Sequence, residues 1–266
     1  VARTFRTPRT VREAPWSWAV AGGALGLVAA VIFFAPARWL AAGVEGATGG
    51  HVLLADARGS VWRGSAQLVV TGGAGSTDRA ALPGRLTWSL QPRWDGVLAR
   101  VRPECCSEQP IEVRAQWRVG GMRTTVGDGV SQWPAYVTAG LGTPWNTLQL
   151  DGDLQLRTQG LSVEWIAGRL AIAGRAELMA LRVASRLSTL RPMGSYRITL
   201  QGGSPATLAL DTLDGSLQLS GTGQWVGSRL RFSGEASATP DREAALANLL
   251  NIIGRRSGAR SIISIG

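Results

Sequence analysis

The sequence contains no lysine, one histidine and two cysteines, and each shortage closes a line of chemistry. Without lysine there is no Walker A side chain to reach a β- or γ-phosphate, and no Gly-x-Gly-x-x-Gly follows a strand pattern. Nucleotide cradles of both kinds are therefore excluded or unsupported. A single imidazole, His51, cannot supply an HExxH zinc pair and leaves most acid–base arrangements short of a partner. No serine stands in a Gly-x-Ser-x-Gly elbow, so a Ser-His pairing would have to recruit His51 from a Gly-rich stretch. Charged residues make up only 17% of the chain against 45% hydrophobic, which excludes a disordered chain because enough apolar surface is available to offset ordering entropy.

What the chain has in quantity is glycine and arginine. Thirty-five glycines and 12 prolines argue against a helical bundle, since glycine in a helix interior costs about 1 kcal/mol relative to alanine. The formal charge of +10 would ordinarily suggest nucleic acid. Four arginines, Arg3, Arg6, Arg9 and Arg12, are instead gathered in one amino-terminal arm that precedes a long apolar run.

Between Glu13 and Arg38 no charged residue occurs, and PWSWAVAGGALGLVAAVIFFAPA supplies the roughly 20 residues a helix needs to cross a bilayer. Trp16 and Trp18 at one end and Trp39 at the other suit the two water interfaces. The arginine arm before the span predicts an amino terminus in the cytoplasm and export of everything after about Ala42. Ala35-Pro36-Ala37 has the form that signal peptidase accepts, but the run from Trp18 to Phe34 exceeds the usual h-region of about 7–15 residues, which favours an uncleaved anchor over residues 16–37. Gly22, Gly26 and Ala30 form a small-residue stripe that could admit a second membrane helix; in an Ala- and Gly-rich span such a stripe is also common by composition.

Beyond the span, alternation at period two recurs between turn residues, as in Arg85–Leu90 (RLTWSL), Ile111–Val119, Leu148–Leu156, Leu161–Trp165, Leu170–Ala176, Tyr196–Leu200, Leu208–Leu213, Ser216–Ser220 and Arg229–Ser233. Short separations favour antiparallel pairing. Leu86, Trp88, Leu154, Leu156, Leu217 and Leu219 are expected to face inward, with Thr87, Gln155 and Gln218 outward. Residues 177–190 fit a helix or a strand. Pro240 at a first helical position, with Leu246, Leu249, Leu250 and Ile253 at helical spacing, predicts a terminal helix capped by Thr239, and SIISIG a final edge strand. The fold expected is thus mainly β: one amino-terminal transmembrane helix, then an extended or curved antiparallel sheet with a carboxy-terminal helix. The organisation is an arm over 1–15, an anchor over 16–37 and a β-rich region over 43–266, with a boundary between two subregions near 120–146.

Candidate chemistry is sparse. Asp151 and Asp153 fit a calcium or acid pair, or a solvated turn around Gly152, and the turn is favoured. Cys105 and Cys106 are adjacent, open to a vicinal bridge, to pairing with another chain, or to remaining thiols, in what reads as an exposed turn. Tryptophans with neighbouring arginines, such as Trp62-Arg63 and Trp117-Arg118, fit a single-stranded nucleic-acid platform, but topology favours core tryptophans with arginine on the opposite strand face. No catalytic residue, metal ligand, cofactor or nucleic-acid partner is expected.

The segments FFAPARWL, LLADARGSVWRGSAQLVV and LPGRLTWSL, then PMGSYRITLQG, LALDTLDGSLQLSGTGQWVGSRLRFSGEA and LANLLNIIGRR, resemble protein N of the bacterial type II secretion system, the general secretion pathway. The resemblance covers most of the chain outside residues 101–146. It implies a non-enzymatic, single-pass inner-membrane accessory subunit with a periplasmic domain, linking or stabilising the inner-membrane platform and the outer-membrane secretin for export of folded proteins. It supplies no catalytic residues; the matching positions Gly59, Trp62, Gly64, Leu82, Pro83, Trp88, Gly194, Tyr196 and Gly215 look structural. An anchor followed by Gly-x-Leu-x-Leu strands (Gly152, Gly168, Gly215) also resembles AsmA-type envelope proteins, which implies as an alternative an apolar sheet groove that binds or handles lipid.

Overall fold

The computed structural model describes residues 16–266, so the arginines of the amino-terminal arm lie outside the described residues. The chain divides into two units, Val1–Ala35 and Pro36–Gly266. Within the first, α1 (Trp16–Phe33) is an apolar helix of 18 residues.

The second unit opens with α2 (Ala37–Ala47) and then lays down nearly all of its length as strands. In chain order these are β1 (Val52–Gly59), β2 (Arg63–Thr71), β3 (Arg79–Ala81), β4 (Leu86–Arg93), β5 (Gly96–Pro103), β6 (Ile111–Arg118), β7 (Gly121–Val126) and β8 (Gly129–Pro134). A 3-10 turn (Ala135–Leu141) and the single-turn α3 (Trp145–Leu148) lead into β9 (Leu150–Ile166), β10 (Arg169–Ser185), β11 (Gly194–Gly203), β12 (Thr207–Gly215), β13 (Leu217–Val226) and β14 (Arg229–Ala238). A 3-10 turn at Pro240–Arg242, α4 (Glu243–Ile253), β15 (Arg255–Ser257) and β16 (Arg260–Ile265) complete it. All strands belong to one 16-stranded sheet in the order β1-β2-β4-β5-β6-β7-β9-β10-β11-β12-β13-β14-β16-β15, with β3 added to β2 and β8 to β9. The pairs are antiparallel, and most strands lie beside a strand adjacent in sequence, the exceptions being β2–β4, β7–β9 and β14–β16. At the tip between β9 and β10, Ala167 (φ 49°) and Gly168 (φ 76°) both have positive φ, the condition of a type I′ turn, whose twist matches that of the strands.

Directly opposed residues share a sheet face, so the register assigns the faces. Trp88 opposes Val101 and Leu90 opposes Ala99, which opposes Val113. Val163 opposes Ile172, and Leu156 opposes Leu178, which opposes Ile198 and then Leu210. One face is thus aliphatic from end to end. Leu86, Trp88, Leu154, Leu156, Leu217 and Leu219 all lie on it, as their alternation predicts. The other face carries cross-strand ion pairs, Arg100–Glu112 at 2.7 Å and Arg123–Glu164 at 3.1 Å.

Two helices cover parts of the apolar face. α4 sets Leu246, Leu249 and Leu250 against Val183, Tyr196, Leu217 and Ala236, all buried. α2 sets Ala37 and Leu40 against Ala66 and Trp88. At the latter site a side chain on Gly64 would meet Trp88, since a Cβ there falls 2.5 Å from the indole Cζ2. The glycine is what lets the ring lie flat across β2.

Several expectations are refined. Residues 177–185 are strand, because Arg169–Ser185 continues past a bulge near Gly174. Leu148–Leu156 and Leu161–Trp165 are one strand, β9, with an irregularity at Gly160. The stretch 120–146 contains β7 and β8, both hydrogen-bonded to β9. The terminal helix begins with a 3-10 turn, and the Thr239 side chain makes no cap hydrogen bond. β16 has the short β15 beyond it over Arg260–Ile262, so SIISIG is the open edge only in its last residues.

Candidate interaction surfaces

α1 has no buried residue and a mean hydropathy of 1.8, and at 1.5 Å per residue its 18 residues cover about 27 Å, close to a hydrocarbon core. Trp16 and Trp18 stand in its first turn, both largely exposed. The helix stops at Phe33, short of the expected residue 37, and Trp39 falls inside α2. Gly22, Gly26 and Ala30 recur every fourth residue along α1, and a Cβ at either glycine would meet nothing within 4 Å.

At the end of the sheet where β5 turns into β6, the loop 104–110 borders a cavity of about 1330 Å³ that reaches across to β8. Arg100, Arg102, Glu112, Asp128 and Thr158 line it. The structure joins Cys105 and Cys106 in a vicinal disulfide, with Cα atoms 3.7 Å apart. Only Cys105 is exposed; Cys106 is buried and its carbonyl accepts the Gln132 N–H at 2.7 Å. The pair therefore ties a loop to β8, whereas the sequence suggested a wholly exposed turn.

The remaining candidates resolve into structure. His51 Nδ1 lies 3.2 Å from the Thr71 carbonyl, fixing the start of β1 to the end of β2. Asp153 pairs with Arg182, while Asp151 accepts the Gly152 N–H at 3.0 Å, so the two carboxylates are spent on separate local contacts. Asp56 receives Arg85 at 2.9 Å and Arg58 at 2.7 Å, and these guanidinium hydrogen bonds hold its carboxyl below the usual carboxylate range. Burial, then the charge of Asp214, push the Tyr196 phenol well above its ordinary value, and its hydroxyl has no hydrogen-bond partner among the described residues.

The tryptophans divide in a way the alternation did not reveal. Trp88 is a core residue whose Nε1–H donates to the Val61 carbonyl at 3.0 Å. Trp94, Trp117 and Trp165 are 97%, 66% and 47% exposed, at or beside hairpin tips. They are surface groups, and the expectation of core tryptophans fails for these three because no helix covers that part of the apolar face.

The fold defines an architectural class: an apolar helix followed by one open antiparallel sheet. The chain belongs to the family of type II secretion system (T2SS) protein N, whose family model matches residues 50–263. The match includes residues 101–146, where motif resemblance stopped, and so takes in the disulfide loop, β7 and β8. No curated protein and no solved structure matches the chain.

Proposed function

We propose that this chain is a non-enzymatic accessory subunit of the type II secretion system, held in the inner membrane by α1 with its amino terminus in the cytoplasm and its sheet in the periplasm. There it links or stabilises the inner-membrane platform and the outer-membrane secretin during export of folded proteins. The family match over 50–263 carries this reading. The apolar helix α1 and the absence of a paired imidazole support it, since contacts can be spread over a sheet without any reacting group. Trp16 and Trp18 would mark one membrane interface, and Gly22, Gly26 and Ala30 the side on which a partner helix approaches. The test is affinity purification of the intact protein from membranes, with mass spectrometry of what accompanies it, alongside secretion assays of a deletion strain. Platform or secretin subunits should be recovered and secretion should fall. Unchanged secretion under every substrate load, with no apparatus component recovered, would remove the assignment.

A second reading, lipid binding along an AsmA-like groove, is favoured by one observation. Val163 opposes Ile172 and Leu200 opposes Leu208 on the same aliphatic face, and none of the four belongs to the clusters under α2 or α4. Native mass spectrometry after detergent exchange separates the readings, because retained acyl chains would favour the groove.

A further inference from the structure

The hairpin tips at one end of the sheet adjoin one another through main-chain bonds. Leu90 N–H donates to the Trp62 carbonyl at 2.7 Å, Trp117 N–H to the Asp95 carbonyl at 2.9 Å, and Ala167 N–H to the Gly120 carbonyl at 3.1 Å. Three of these adjacent tips expose large apolar residues. Trp94 and Val119 are 97% and 99% exposed, and across β6, β7 and β9 the residues Trp117, Met122 and Trp165 oppose one another directly on the apolar face. Strands lie about 4.8 Å apart, so those three side chains form a patch roughly 10 Å across with the two tip residues beside it.

Arginines stand at the same tips on the opposite face of the sheet, where Arg118 opposes Gly121, which opposes Ile166, which opposes Arg169. Arg93, Arg118 and Arg169 are exposed at the same tips, and none makes an ion pair with a described residue. Arginines further along the strands, Arg100, Arg123 and Arg175, are all paired with glutamate. Indole rings that can bury a body and hydrate an N–H, beside unpaired guanidinium groups that match phosphate in a fork, suit the headgroup layer of a bilayer.

The path of the chain points to the same surface. Pro36, the first residue of the sheet unit, forms an antiparallel bridge with Ser60, in the β1–β2 turn at this end of the sheet. Pro36 thus lies at the end of the sheet bearing the tips, and the loop 104–110 with its disulfide lies at the opposite strand ends.

We propose that the tips carrying Trp94, Trp117, Val119 and Trp165, with Arg93, Arg118 and Arg169, rest on the surface of the anchoring bilayer, indoles in the headgroup layer and guanidinium groups on anionic phospholipid. The inference rests on α1 being a membrane anchor. Docking at the tips adds a second point of attachment to the membrane.

The test places a benzophenone photoprobe at Leu27 in α1, at Trp94, at Val119 and at Glu108 in the distant loop, in the full chain reconstituted into nanodiscs of phosphatidylethanolamine and phosphatidylglycerol. Leu27, Trp94 and Val119 should yield lipid adducts, the tip positions at least about fivefold above Glu108. Combining Arg93→Gln, Arg118→Gln and Arg169→Gln should lower the Val119 adduct at least about threefold and leave that of Leu27 unchanged, as expected of groups that each add modestly to attraction by an anionic surface. Lipid adducts at Leu27 with tip yields no higher than at Glu108 would overturn the proposal and leave the anchor intact. No adduct at Leu27 would overturn both. In native membranes, a tip probe that captures a protein in place of lipid would also overturn it, by assigning the patch to a partner.

Discussion

Replacing Trp88 by alanine should damage the sheet more than any other tryptophan substitution in the Pro36–Gly266 unit. The indole is 5% exposed, is flanked by Ala37, Ala66, Leu40, Leu54 and Leu90, and donates a hydrogen bond to the Val61 carbonyl. Its neighbours Ala37 and Ala66 are nearly fully buried and have no longer side chains with which to fill a void. Removing an aromatic ring from such a site costs about 3–5 kcal/mol, the upper part applying where the surroundings cannot collapse. The stranded carbonyl at Val61 adds to the cost in the same direction. With a urea m-value of about 2.5 kcal/mol/M, the midpoint of unfolding should fall by roughly 1.5 M.

The matched control is Trp94→Ala, the same substitution at a residue 97% exposed, which should move stability by no more than about 0.5 kcal/mol. Both are measured on the full chain in detergent by circular dichroism. Hydrogen exchange adds a local signature, because loss of the ring removes the surface on which α2 packs and should speed exchange of its amides more than those of α4. A midpoint shift below about 0.4 M for Trp88→Ala, equivalent to roughly 1 kcal/mol, would refute the placement of the ring in a closed core.

Other substitutions test different parts of the sheet by the same measurement. Leu217→Asp, at a site 3% exposed beneath α4, should destabilise by more than about 3 kcal/mol, while Gln218→Asp on the opposite face stays within about 0.5 kcal/mol; equal effects would remove the face assignment. Tyr196→Phe should raise stability by about 1 kcal/mol, because it deletes a buried hydroxyl that has no partner among the described residues, and a loss of similar size would mean that the hydroxyl is bonded. Asp56 has its carboxyl lowered from 3.8 by Arg85 and Arg58, so its contribution is present above that pH and fades as pH falls through the lower folded-state value. Wild type should therefore lose more stability on acidification below pH 3.8 than Asp56→Asn does, and parallel curves for the two proteins would show that the carboxylate does nothing for the fold.

Strand identity was legible wherever alternation ran unbroken, as in Arg85–Leu90 and Ser216–Ser220. It was misjudged where a glycine broke the parity. Gly160 shifts the register of β9 by one residue, so the aliphatic positions change from odd in Leu161, Val163 and Trp165 to even in Leu154 and Leu156, and one 17-residue strand looked like two. α2 was missed because Gly43 and Gly46 give AAGVEGA the look of a loop, whereas its helicity is supported by packing against Trp88 and Leu54, contacts distant in sequence. β7 and β8 were hidden by Thr and Gly at positions where an aliphatic would have announced the face. The apolar helix was clear from length and charge alone, which are local properties.

The surfaces were less legible than the fold for a reason visible in two residues. Trp88 and Trp117 both occupy apolar-face positions of an alternating strand with arginine or serine on the other parity, so a sequence reader must treat them alike. What separates them is α2, which covers Trp88 and does not reach Trp117. In an open sheet with one aliphatic face, exposure is decided by where the few helices are laid, and helix placement depends on long-range contacts that periodicity does not record. The interaction surfaces of such a protein are accordingly the stretches of apolar face left over after its own helices are placed. Here the leftover stretch with the most exposed aromatics sits at the hairpin tips, at the same end of the sheet as the turn that Pro36 joins, so the sheet's own connectivity sets both positions.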